Sequence, residues 1–304
     1  MHLRALLVLA CVAPLAVASS AGASVFNVSP GPGTPLQDAI DAASPGDTIR
    51  LANGVFHEAI EIDKPLRISG RIRKKTPLAE INADCLAATA IDIAADNVNL
   101  SNLAVDGGTF SAVQILGRDR VKIKKVIPIA FGAGSGGGCG TEQYGFEIGE
   151  SSRVTLRDGS VYGTNFGLPG SLGFLGAAIY IHGVAPRAHV EIVKYFLDGH
   201  VNGVILQDST GPSAVTLNHV FVLASDTGVQ LVNSDGMRFA SGFVRGDSNG
   251  SPAFGIEVDA TSDDNELVQN QVTGYAADVS DAGTSNCWHG TTFVTGSVPG
   301  DGCP

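Results

Sequence analysis

The sequence predicts an all-β fold: a right-handed parallel β-helix solenoid with a short N-terminal capping helix. Three observations predict it. The 304 residues include 39 Gly but only 6% aromatic residues, a composition suited to many short strands joined by tight turns, and helix-period stretches are scarce. A small residue followed by an apolar-x-apolar strand recurs, starting at Ala90, Ala112, Gly145, Ala178, Gly203, Gly228 and Gly255. Each such strand is followed by a polar corner and a second alternating strand.

Neighbouring starts lie 22, 33, 33, 25, 25 and 27 residues apart, a solenoid period with insertions in two coils. Period-two alternation turns every second side chain inward. Val113, Phe146, Ile179, Val204, Val229 and Ile256 are therefore expected in one interior column, and Ile115, Ile148, Ile181, Leu206, Leu231 and Val258 in the next. No single coil buries these faces; stacked neighbours bury all of them at once. The second strands begin at Val121, Val154, Val190, Val215, Met237 and, less cleanly, Leu267. A leucine-rich repeat would need regular leucines and helices, and a β-sandwich would need hairpins with two-residue turns. The long Gly-rich corners, such as residues 131–139, suit solenoid insertions instead.

The ends read as a leader and two caps. Met1 to Arg4 carries positive charge, Ala5 to Val17 is almost wholly apolar, and Ala21 and Ala23 form an A-x-A site, the pattern of a signal peptide over residues 1–23. A lipoprotein reading through Cys11 leaves a short apolar core. Residues 24–304 are then expected to form one β-helix domain, secreted or periplasmic, with 24–70 as N-terminal cap and first coils and 278–304 as C-terminal cap. Leu36 and Ile40 stand at helical spacing after Thr34 and Pro35, where threonine suits an N-cap and proline the first turn. A helix there would shield the edge of the first coil.

The formal net charge of −11 disfavours nucleic acid and anionic membranes as partners, and a monomer is expected. Four cysteines follow the leader. Two disulfides are expected in an oxidising compartment, with Cys287–Cys303 favoured as a short terminal loop and Cys85–Cys139 left as the second pair. Zinc competes for the same residues, but no C-x-x-C pair occurs.

The run from Leu36 to Gly70, LQDAIDAASPGDTIRLANGVFHEAIEIDKPLRISG, resembles the opening segment of pectin-lyase-like right-handed β-helix proteins. That superfamily includes pectate lyases, polygalacturonases, alginate epimerases and NosD-like periplasmic proteins. The end, Asp281 to Trp288, resembles a final coil with a cysteine-closed tail. The resemblance implies the fold and leaves function open between a secreted protein that binds or modifies an extracellular polysaccharide, lyase-like if catalytic, a non-catalytic binding or assembly module of the cell envelope, and a NosD-like periplasmic accessory of a metal centre.

Sugar-active members of the superfamily use outward side chains from adjacent coils. Here the residue between the inward columns gives the ladder Gln114, Glu147, Tyr180, Ile205, Gln230 and Glu257, and the next outward position gives Gly149, His182 and Gln207. Glu147, Tyr180 and His182 form a candidate trio: a general base and a sugar-stacking ring, or simply a solvated polar ladder. On the second strands Lys122, Lys124 and Arg157 project outward. A uronate lyase needs such cations against the carboxylate, although Glu191 is also placed to pair with Arg157. Lys124, Arg157 and His182 are the catalytic candidates, and Lys122, Glu147 and Tyr180 the binding candidates.

Departures from family patterns narrow the chemistry. A polygalacturonase-like set is missing: Ser262-Asp-Asp264 comes late, and Gly199-His200 lacks the following glycine. The Asp-Pro-His-Asp signature of alginate epimerases is absent. His57, His189, His200, His219 and His289 are dispersed. Calcium, which prefers oxygen ligands, would find Asp226, Asp247, Asp259 and Asp263 at corners, where acidic turn residues are also ordinary. Asn27, Asn99 and Asn249 begin glycosylation sequons.

Overall fold

Stacked parallel pairing is the architecture. The computed structural model describes residues 22–130, 139, 143–163, 176–246, 252–298 and 303. Met1 to Ala21 of the leader, Asp247 and Asn249 lie outside these. Among the described residues twenty-four strands join in one hydrogen-bonded network in which every pairing is parallel, apart from a separate Ile72–Arg73/Thr76–Pro77 hairpin. Among the described residues the only α-helix is α1, Pro35–Ala42.

Each coil contributes to three sheets. The first-sheet register runs Ile91, Val113, Phe146, Ile179, Val204, Val229, Ile256 and Val279. All of these side chains are fully buried. The next column, Ile115 to Val258, is equally closed. The alternation therefore places both interior columns as the sequence predicts, and truncating one of these side chains to alanine costs about 2–5 kcal/mol. The second sheet stacks Leu100, Ile123, Leu156, Ile192, Leu217, Phe239, Leu267 and Trp288 inward. Here Leu267 pairs with Phe239, so its strand opens at Glu266 and not at Leu267. Asn265 takes the place opposite Met237 and accepts the Met237 N–H at 2.8 Å. The third sheet buries Val161, Leu197, Val222, Val244 and Val272.

The corners explain two sequence habits. The small residue before each first-sheet strand sits where coils nearly touch: a β-carbon on Gly203 would lie 2.4 Å from Gly228 O, and one on Gly228 2.5 Å from Gly255 O. Between the second and third sheets each coil turns through one left-handed residue, including Lys125, Asp158, Lys194, His219, Ser241 and Gln269, with φ between 54° and 58°. That conformation costs a non-glycine residue roughly 1–2 kcal/mol. It keeps the N–H aimed at the next coil, as in Lys194 N to Asn218 O at 3.0 Å and Gln269 N to His289 O at 2.8 Å.

At the N-terminal end α1 buries Leu36 and Ile40. Thr34 occupies the N-cap position but makes no side-chain cap; its hydroxyl bonds Asp38. The buried Glu58 carboxylate caps instead, accepting from Leu36 N at 2.9 Å and Gln37 N at 2.8 Å. A negative group at that end also suits the helix dipole. At the other end Trp288 closes the second-sheet column and donates its Nε1 to Asp281 at 2.6 Å. Disulfides join Cys85 to Cys139 and Cys287 to Cys303, the pairing expected.

Candidate functional site

The first-sheet ladder brings the predicted trio together. Glu147 pairs with Tyr180 in register, and Gly149 with His182. Because position 149 lacks a side chain, the His182 ring lies back over it, and Nε2 comes within 3.7 Å of Glu147 Oε1. That Nε2 is buried and makes no hydrogen bond among the described residues. Gln114, one coil earlier, donates to Glu147 Oε2 at 2.6 Å. Burial pushes the Glu147 carboxyl upward, but the His182 and Gln114 side chains outweigh it, and the group sits below its ordinary range. Glu147 is thus an anion held against an imidazole, an arrangement that orients the ring.

Tyr180 is placed differently from the expectation of a sugar-stacking ring. Tyr144 stacks on it at 4.6 Å and His182 at 4.8 Å, so both of its faces are covered. What Tyr180 presents is its hydroxyl, which donates to Gln207 Oε1 at 3.0 Å. Burial, then the charge of neighbouring groups including Glu147, raises the phenol pKa of both Tyr180 and Tyr144. The hydroxyl is a proton donor and not a base at neutral pH. The ring open to solvent is Phe110, 41% exposed and set edge-on to Tyr144 at 5.4 Å. Strand alternation points to neither Phe110 nor Tyr144, because both flank the corner where the alternation breaks.

The predicted cations form a second group. Lys124 and Arg157 are register partners on the second sheet, and Lys122 faces Asn99 and Thr155 there. They share no sheet with His182. Arg157 meets Glu191 at 3.5 Å and Lys124 meets Asp158 at 3.9 Å; such exposed pairs contribute under about 1 kcal/mol each. Of the acidic corner residues, Asp259 accepts from Thr261, Ser262 and the Asn233 N–H, and Asp263 from Thr284 N and Oγ1. Those carboxylates tie corners together. His200 is fully buried, bonds Val161 O at 3.1 Å, and is pushed down to about 4 by desolvation.

The sequence matches no protein-family model and no curated protein. Solved structures do match in shape. The A-module of the mannuronan C-5 epimerase AlgE4 from Azotobacter vinelandii superposes with a TM-score of 0.55 at 14% identity, over 86% of this chain and 84% of that one. The PL6 family alginate lyase AlyGC gives a TM-score of 0.53 at 13% identity, covering 88% of this chain and 39% of the lyase. The chain shares the parallel β-helix fold of these two proteins. At such identities the likeness is one of fold, and chemistry has to be argued from the side chains. The outward ladder of the first sheet runs along register-paired strands as one strip, and that strip carries Phe110, Tyr144, Tyr180, His182 and Glu147.

Proposed function

We propose that this chain is exported and binds an extracellular polysaccharide along the outward strip of its first sheet, with lyase-type proton transfer at His182. One observation carries the reading: His182, Glu147 and the Tyr180 hydroxyl converge beside an exposed aromatic ring and the amides of Gln114 and Gln207. Coils about 4.8 Å apart match an extended sugar chain, and rings with hydrogen-bonding amides suit its alternating apolar and hydroxyl surfaces. The leader-like N-terminus and two disulfides support export. Among the described residues no helix is long and apolar enough to cross a membrane. The two fold neighbours, by their names, act on mannuronan and on alginate, which supports a uronate polymer.

In this reading the His182 imidazole takes the proton from C5 of a uronate, and Glu147 stabilises the resulting imidazolium. The C5 electron pair forms the C4–C5 double bond as the C4–O bond breaks. Tyr180, kept protonated, gives its proton to the departing oxygen. Lys122, Lys124 and Arg157, on the neighbouring sheet, meet other units of the polymer. The test is the absorbance of unsaturated product from a panel of uronate polymers, with and without calcium. Product from wild type that is lost in His182→Ala supports the step; none from any polymer removes it. The separation of the cations from His182 favours a non-catalytic binding module as the second reading, which binding without product would support.

A further inference from the structure

The second sheet holds a cleft that the first-sheet site does not use. Arg120 and Arg153 precede Val121 and Val154 in adjacent coils, and His189 precedes Val190, the register partner of Val154. With Lys122 and its partners Asn99 and Thr155 they enclose about 360 Å³. A single carboxylate organises the two guanidiniums: Arg153 binds both Asp119 oxygens, and Arg120 reaches the same group at 3.4 Å. Asn97 Oδ1 holds Arg120 Nε from the other side at 2.5 Å. Asp96 lies behind, accepting the Asp119 N–H at 2.9 Å. Lys122 is exposed and makes no ion pair among the described residues. Arg120, Arg153 and Lys122 thus face Asp119 and Asp96, which leaves one positive charge in a concavity of a chain whose formal net charge is −11.

Fixed guanidiniums bind oxyanions without the entropy loss of ordering long side chains. An uncommitted ammonium beside them supplies the counter-charge, and Asn99 and Thr155 offer neutral hydrogen bonds of the kind sugar hydroxyls need. We propose that this cleft is a separate oxyanion subsite, taking a carboxylate or sulfate-ester group of an acidic glycan, with Lys122 as counter-charge and Arg120 and Arg153 as donors. It rests on the polysaccharide reading for the polymer but not on the chemistry at His182. Charge within the cleft acts over a Debye length of about 8 Å at physiological salt, while the rest of the chain repels polyanions.

The test is calorimetric titration of the disulfide-bonded chain with oligogalacturonate, with dextran sulfate and with neutral dextran. Wild type binds at least one anionic polymer more tightly than dextran, and the stronger of the two identifies carboxylate or sulfate as the ligand. Lys122→Ala weakens that binding about tenfold or more, and Lys122→Arg restores most of it. Arg245→Ala, which removes an exposed cation from the third sheet, leaves the preference for the anionic polymer in place. Equal affinity for dextran and both anionic polymers, or no effect of Lys122→Ala, overturns the proposal. Loss of binding in Tyr180→Ala with none in Lys122→Ala overturns it too while sparing the first-sheet reading.

Discussion

A β-carbon on Gly149 would lie 2.3 Å from His182 Cε1 and 2.5 Å from its Nε2. The obstructing atoms belong to a partly exposed ring that can swing away and, at 2.8 Å, to Cδ2 of the exposed Leu116, the far end of a flexible side chain, so the substitution is cheap for the fold and costly for the site. Gly149→Ala is expected to keep the melting temperature within a few degrees of wild type and to reduce product formation as far as His182→Ala does. Unchanged activity would show that the ring position is immaterial. Asp92, on the same strip, behaves oppositely to Glu147. Burial and the adjacent Glu61 raise its pKa, and Arg118 only partly opposes them. A carboxyl raised on folding binds its proton more tightly in the native state. Its contribution is therefore complete below the unfolded value of about 3.9 and is lost as pH rises through the higher native value. Asp92→Asn should raise the melting temperature near neutral pH, with the gain shrinking in acid. A lower melting temperature at neutral pH would contradict this.

At the scale of elements, the cap helix depends on a residue far from it in sequence. Glu58 satisfies two amides at the start of α1, and losing a cap costs about 0.5–2 kcal/mol. Glu58→Ala should lower stability by that amount and speed hydrogen exchange at Leu36 and Gln37 before the coils open. Thr34→Ala should do much less, since its hydroxyl does not cap. Equal effects would show that the threonine carries the start. Stacked rings on two sheets divide in role. Phe196, Phe221 and Phe243 pile up along the third sheet at 4.9 Å and 4.7 Å, covering one another and bracing adjacent coils. On the first sheet the stack ends at Phe110, which remains open.

Across the whole molecule, one periodic rule made the interior readable. Alternation within a strand fixes which side chain points inward, and coil stacking repeats that choice, so the columns from Val113 to Ile256 and Ile115 to Val258 follow from spacing alone. The outward ladder through Glu147, Tyr180 and His182 follows from the same rule. Corners escape it, because a left-handed residue or a tight glycine shifts the phase. Phe110, Tyr144, Arg120 and Arg153 all stand at corners, and each was invisible to alternation. Which outward groups touch also depends on three-dimensional approach, as when Tyr144 covers the Tyr180 ring expected to meet sugar. The capping role of Glu58 lay beyond reach for a similar reason: nothing local marks a carboxylate that serves a helix in another coil.

A polysaccharide is expected to dock along the first-sheet strip. Affinity electrophoresis through gels containing neutral or uronate polymers, comparing wild type with Phe110→Ala and Tyr180→Ala, tests it most directly. At least one polymer should retard wild type, and both substitutions should relieve the retardation. Wild-type mobility unaffected by every polymer, or identical retardation of all three proteins, would contradict it.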